Sequence, residues 1–139
     1  MVPCQKAGSL SHELEVDCYT ARIMEIGYKN REMLHRRDAM IRLGQLYESG
    51  ANGRQDGRKA FKWYREADEL GDPAGTFMLG RCYLKGTGTT PNEREANRSF
   101  KKAGRQGLPI ARFEVGVSYR DGRGYRKNLR EAWAWFDYA

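Results

Sequence analysis

A chain of 139 residues is of single-domain length and long enough to bury a core. With 40% hydrophobic and 31% charged residues it is neither a disordered polyelectrolyte nor a membrane protein, and no apolar run approaches the length of a membrane span. The net charge of +7 favours anionic partners through its long-range field but names none, and it is uneven: residues 72–107 hold seven basic against three acidic side chains.

Met1 to Leu10 has no apolar segment of the kind that drives secretion, so the sequence as given reads as cytoplasmic; a chain already processed would read as exported. Residues 1–37 are expected to form a loose lead and a capping helix or degenerate repeat. Leu10, Leu14, Cys18, Ala21, Met24 and Tyr28 recur at helical spacing, and a second helix starts near Gly27 and runs to about Arg37. Cys4 and Cys18 would pair only in an exported protein and stay free thiols in a reducing one. With Cys82 they show no CxxC spacing and have no histidine cluster beside them, so no metal is expected. His12 and His35 have no nucleophile or paired carboxylate at a catalytic spacing, and neither catalysis nor a cofactor is expected.

From Asp38 onward the chain repeats itself. Leu43-Gly44-Gln45-Leu46-Tyr47 returns as Leu79-Gly80-Arg81-Cys82-Tyr83 and again as Val115-Gly116-Val117-Ser118-Tyr119. Ala60, Ala96 and Ala132 keep the same offset, as do Tyr64, Phe100 and Phe136. Three units follow, at 38–71, 72–107 and 108–139, the last incomplete at its C-terminal side. A fixed period of this size denotes stacked helical repeats.

Each unit reads as two helices. Helix A starts near Asp38, Asp72 or Leu108, with Pro73 and Pro109 at the first helical position, and ends at Gly50, Gly86 or Gly122. The small residues along it, Gly44, Gly80 and Gly116 among them, are notches for the close approach of another helix backbone. Asp56, Asn92 and Asn128 cap helix B, which stops at Gly71 and Gly107. Helices this short are marginal alone, so stacking must bury their apolar faces. The expected fold is all-α: a right-handed superhelix, or solenoid, of antiparallel helix pairs. Cys82 falls among the core positions.

The pattern Leu-Gly-x-x-Tyr-x-x-Gly-x-Gly, followed by Lys-Ala-x-x-Trp-Tyr-x-x-Ala and a glycine, resembles the Sel-one-like repeats, relatives of the tetratricopeptide repeat, over residues 38–139. Val115 stands for Leu, Asn52 for Gly, and Ser99 where Trp63 and Trp135 stand, which suggests a thinner core in the middle unit. The resemblance implies a non-catalytic adaptor, scaffold or inhibitor that binds another protein or peptide.

Two surfaces are candidates for that binding. Helical geometry sets Ile41, Gln45, Glu48, Phe77, Arg81, Leu84, Phe113, Val117 and Arg120 on the A-helix side opposite the core stripe, where concave solenoid surfaces bind; Arg81 and Arg120 would meet a partner's carboxylates. The same apolar positions would equally serve packing between A helices. The second is the stripe Arg94, Arg98, Lys101, Lys102 and Arg105 on helix B of the middle unit, suited to phosphate, an acidic protein or anionic lipid, or simply to water on the outer side. With no aromatic residues among these cations, stacking of single-stranded bases is expected to be weak. Finally, Trp133, Trp135, Phe136 and Tyr138 crowd the last turns with no further helix A after them. Self-association through Trp133, Trp135 and Phe136 is expected there.

Overall fold

The computed structural model describes residues 30–50 and 55–139, with side chains described from Arg36 onward. The expected helix at Leu10 to Tyr28, Cys4, Cys18, His12 and Asn52 lie outside the described residues, as does the side chain of His35. Among the described residues there are six helices and no strand: α1 (Asn30–Ser49), α2 (Gly57–Glu69), α3 (Pro73–Lys85), α4 (Glu93–Arg105), α5 (Pro109–Asp121) and α6 (Leu129–Tyr138). Each helix packs on the next along the chain, and α1 also touches α3. The result is an all-helical solenoid in which α1, α3 and α5 are the A helices and α2, α4 and α6 the B helices.

The starts and stops follow from local chemistry. Asp72 accepts a hydrogen bond from the Ala74 amide at 3.0 Å ahead of Pro73. Asp56 accepts from Lys59 N at 3.1 Å, Asn92 from Arg94 N at 3.1 Å, and Asn128 from Glu131 N at 3.1 Å. Each satisfies an amide that has no partner within its helix. Leu108 offers no such acceptor, and α5 begins on Pro109 alone. Gly86 and Gly122 close α3 and α5 in the left-handed conformation, at φ 78° and 70°.

One expected boundary is overturned. Helix A of the first unit does not begin near Asp38: α1 runs unbroken from Asn30, with Asp38 in its interior. The reason is visible by alignment. Where the second unit has Asp72-Pro73, the first has Arg36-Arg37, which supplies neither a capping carboxylate nor a ring that excludes a preceding turn.

Packing repeats with the sequence. Ala60, Ala96 and Ala132 are at most 1% exposed, and Ala67, Tyr64, Phe100, Leu43 and Val115 are fully buried. Burial of each large apolar side chain contributes roughly 1.5–3 kcal/mol. Ser99 is itself buried, whereas Trp63 and Trp135 at the same position are half-buried. The notches at Gly44 and Gly116 take something other than a helix backbone, and the one at Gly80 takes a ring together with the Ala96 carbonyl of α4. They lie under the rings of Tyr64, Phe100 and Phe136, from helix B of the same unit. A β-carbon at Gly80 would come within 2.8 Å of the Phe100 ring. The closer backbone approach of the two occurs at Gly75, where a β-carbon would lie 2.9 Å from the Ala67 carbonyl carbon in α2.

Successive units lock through their loops. Gly88, at φ 71°, lies against the Gly57 carbonyl at the start of α2. Gly124, also at φ 71°, lies where a β-carbon would come 2.9 Å from the Glu93 carbonyl oxygen at the start of α4. Phe61 meets Tyr83 edge-on at 5.5 Å, and Asn97, one unit later, donates from Nδ2 to the Arg123 carbonyl at 2.6 Å.

Candidate functional site

The A-helix side divides into residues used internally and residues left at the surface. Phe77 leans on Phe100 (centroids 5.5 Å apart) and Phe113 on Phe136 (5.4 Å), each within its own unit. Ile41 is half-buried against the cluster that contains Tyr64 and Leu79. Leu84 packs with Phe77 against the Phe100 cluster, and Val117 is half-buried. Glu48 accepts the Tyr64 hydroxyl hydrogen bond at 2.7 Å.

The expected pair of partner-binding arginines separates. Arg81 is half-buried, with Nη1 3.9 Å from Met78 Sδ, and its charge acts on Tyr64 and Cys82. Arg120 is exposed and grips Asp121 with two bonds, at 2.9 and 3.3 Å. The hydrogen bond from Arg120 holds the Asp121 carboxyl below its usual range. Gln45 is exposed. The face is therefore apolar in sequence-predicted places, but its charged members Glu48, Arg81 and Arg120 each already answer to a neighbour.

The apolar surface is concentrated in the third unit. The exposed large apolar side chains among the described residues are Ile110, Phe113, Leu129, Trp133 and Tyr138, all within 109–139. Phe136 joins two of them: it touches Phe113 of α5 and meets Trp133 of α6 edge-on at 6.2 Å. Trp133 is 66% exposed and Phe113 51%. Ile110 lies one turn before Phe113 on the same side of α5. Trp133 occupies the position of Phe61 and Asn97, the residues that meet the following loop in earlier units. Trp135 is half-buried and Tyr138 is partly roofed by the Arg112 guanidinium, 3.6 Å from its ring. Arg112 also donates to the Gly104 carbonyl at 2.8 Å, tying α4 to α5.

The basic side is more structured than its sequence suggests. Arg94, Arg98, Lys101, Lys102 and Arg105 line an open groove of about 890 Å³, together with Tyr125 from the loop before α6. Tyr125 stacks on Tyr119 at 4.3 Å and 13°. Lys101 Nζ donates to Tyr119 Oη at 2.8 Å and lies 5.1 and 4.6 Å from the two ring centroids. Partial burial works against the ammonium, but the phenols outweigh it and raise the Lys101 pKa. The expectation that no aromatic group accompanies these cations is thus corrected. Its contributors lie 18 and 24 positions beyond Lys101, and the available signal was Tyr125 standing where the previous unit has Thr89. Lys102 pairs with Asp68 at 2.8 Å and Arg98 with Glu95 at 3.4 Å. Arg94 and Arg105 have no acidic partner among the described residues.

Cys82 is 1% exposed, and burial, with Glu48 nearby, pushes its thiol up to about 12. Among the described residues no group of three His, Cys, Asp or Glu side chains is placed to hold a metal, and no helix is long and apolar enough to cross a membrane.

A family model for the Sel1 repeat matches residues 37–72, 73–108 and 109–139. No curated protein matches the chain. Among solved structures, one similar protein is c5321, a protective antigen present in uropathogenic Escherichia coli strains and displaying an SLR fold. It is 27% identical, with a TM-score of 0.77 over 88% of this chain and 24% of that one. A Sel1 repeat protein from Oxalobacter formigenes is 28% identical, with a TM-score of 0.74 over 91% of this chain and 48% of that one. Helicobacter pylori cysteine rich protein B shares the fold at 22% identity, with a TM-score of 0.61 over 81% of this chain and 90% of that one. The chain thus spans about a quarter of the first of these proteins and about half of the second.

Proposed function

Because the chain belongs to the Sel1 repeat family, whose members are generally protein-interaction modules, we propose that it binds a partner protein without catalysis, through the A-helix side where that side runs into the third unit. The observation that carries this reading is the ledge of three rings, Phe113, Phe136 and Trp133, that links α5 to α6 with its two outer members more than half exposed. Each aromatic side chain buries roughly 150–250 Å² when covered. Tryptophan is among the residues enriched at the positions that dominate binding energy, and phenylalanine is enriched in interfaces generally. Ile110 extends the ledge along α5. Ile41, Gln45, Phe77, Arg81 and Val117 would flank a longer partner, while Glu48 and Leu84 serve mainly to hold the helices that carry it.

A Phe113→Ser/Trp133→Ser variant tests the reading. Affinity capture from the native cell, followed by mass spectrometry, is expected to recover a specific protein with the parent chain and not with the variant. Sedimentation across a concentration range separates a foreign partner from a second copy: association of the pure chain that the variant abolishes means that the ledge covers itself. Equal capture by both proteins, with helical content unchanged, moves the site elsewhere.

A further inference from the structure

We infer that the groove between α4 and the 122–128 loop binds an extended acidic segment of a polypeptide, a second contact surface that does not depend on the aromatic ledge. Arg94, Arg98, Lys101, Lys102 and Arg105 span three turns of one helix side, a rise of roughly 16 Å. The cations are strung along a line rather than gathered round one point, so the shape suits a chain of anions and not a single phosphate. An extended peptide of about five residues covers that length at about 3.3 Å per residue.

Charge is incompletely answered among the described residues. Glu95 and Asp68 engage Arg98 and Lys102, and Arg94 and Arg105 at the two ends of the line remain without an acidic partner among the described residues. In the middle, Lys101 is held by the Tyr119 hydroxyl and the two stacked rings, so its ammonium is fixed before any ligand arrives. Fixing a long side chain beforehand lowers the ordering cost of binding. The same stack argues for carboxylates over a nucleic-acid strand. Single strands are held by bases laid on open aromatic faces, and Tyr119 and Tyr125 each give a face to the other. Arginine forks match carboxylate geometry with two parallel hydrogen bonds.

A labelled octaglutamate peptide, an oligothymidylate of equal length and phosphatidylserine vesicles, each titrated at about 50 mM salt, decide the matter, since weak screening there leaves surface charge effective. The full chain is expected to bind the peptide more tightly than the other two. Arg94→Glu/Arg105→Glu should weaken peptide binding about tenfold, whereas Arg58→Glu/Arg130→Glu, with the same net charge, should change it by less than about threefold. Should the first variant melt early, Arg94→Gln/Arg105→Gln against Arg58→Gln/Arg130→Gln reads the same contrast. Equal losses in both variants would mean bulk charge without a site. Tighter binding of the oligonucleotide or the vesicles would give the groove to phosphate. Either result overturns the inference.

Discussion

The Tyr64 hydroxyl donates to Glu48 Oε2 at 2.7 Å, joining α2 to α1 through a phenol whose side chain is otherwise fully buried. The same two positions hold Phe100 and Leu84 in the second unit, and Phe136 and Arg120 in the third. A hydroxyl thus occurs where a carboxylate can receive it, and a plain phenyl ring where none is available. Tyr64→Phe alone and Glu48→Leu alone should each destabilise the fold, the second by about 1–3 kcal/mol because it strands a buried hydroxyl. The double change recreates the Phe/Leu pair of the second unit and should cost less than the two added together, by about 1 kcal/mol. Urea unfolding of the four proteins measures this coupling; strictly additive losses would show the bond to be idle.

Gly80 offers a steric test. A β-carbon there meets the Phe100 ring at 2.8 Å and the Ala96 carbonyl oxygen at 3.2 Å. Gly80→Val should therefore destabilise the protein by about 1–3 kcal/mol or more through overpacking. Shrinking the opposing ring with Phe100→Leu should recover part of that loss. Gly107 is the contrast: nothing lies within 4 Å of its β-position, but its φ is 103°, so Gly107→Ala strains the backbone alone and no ring substitution should relieve it. Thermal melts of these variants distinguish the two causes.

The pH dependence follows from Cys82. Its folded-state pKa is raised, so between the ordinary thiol value of 9.0 and about 12 the native protein keeps a proton that the unfolded chain releases. Stability is unaffected by this group below pH 9.0 and falls as pH rises through the window. Tyr64, raised by burial and by the carboxylate of Glu48, adds a loss in the same direction above its ordinary value of 10.0. Cys82→Ala should thus lose less stability than the parent on going from pH 8 to pH 10.5, as read from urea midpoints. In a Cys4→Ser/Cys18→Ser background, the remaining thiol should react with a disulfide reagent only in step with opening of the fold.

Asn97 holds the junction between the second and third units. Its Nδ2 reaches the Arg123 carbonyl at 2.6 Å, and the residue is 1% exposed. Asn97→Ala leaves that carbonyl without its donor and should cost about 1–3 kcal/mol. The loss should appear first as faster amide exchange in α5 and α6, because repeats couple chiefly to their neighbours. Uniform acceleration over all six helices would show that the junction is not a separate element.

What the sequence made legible was local. The left-handed glycines at 86 and 122, the caps at Asp56, Asp72, Asn92 and Asn128, and the alanines at 60, 96 and 132 act through chemistry within a few residues or through repetition, and both can be read along a chain. The start of α1 could not be placed by repetition because Arg36-Arg37 departs from the repeat and carries no stop of its own. Glu48 reads as available to a partner because its acceptor role is set by Tyr64, 16 positions away on another helix. Tyr125 joined the basic groove unannounced for the same reason: a loop residue has no periodicity to betray its direction. The exposed ring of Phe113 is the converse case. Its place on α5 follows from helical spacing, but its greater exposure than Phe77 depends on what surrounds the third unit.

The loop glycines have a consequence for how such a protein changes length. Gly88 seats on Gly57, and Gly124 seats on Glu93 by the same geometry. Removal of residues 73–108 would bring Gly124 to Gly57, and Tyr119, the counterpart of Tyr83, to Phe61. The glycine seat and the ring packing of the new seam already exist in kind at an old one, and the chief loss is the Asn97 donor to the Arg123 carbonyl, whose place Phe61 would take. Loss of a single residue within a helix, by contrast, rotates each later side chain by about 100° and aims Ala, Gly and ring at the wrong partners. For this architecture a deletion of an entire unit is the milder lesion and a deletion of one codon the graver, so lineages of such chains should grow and shrink by whole repeats.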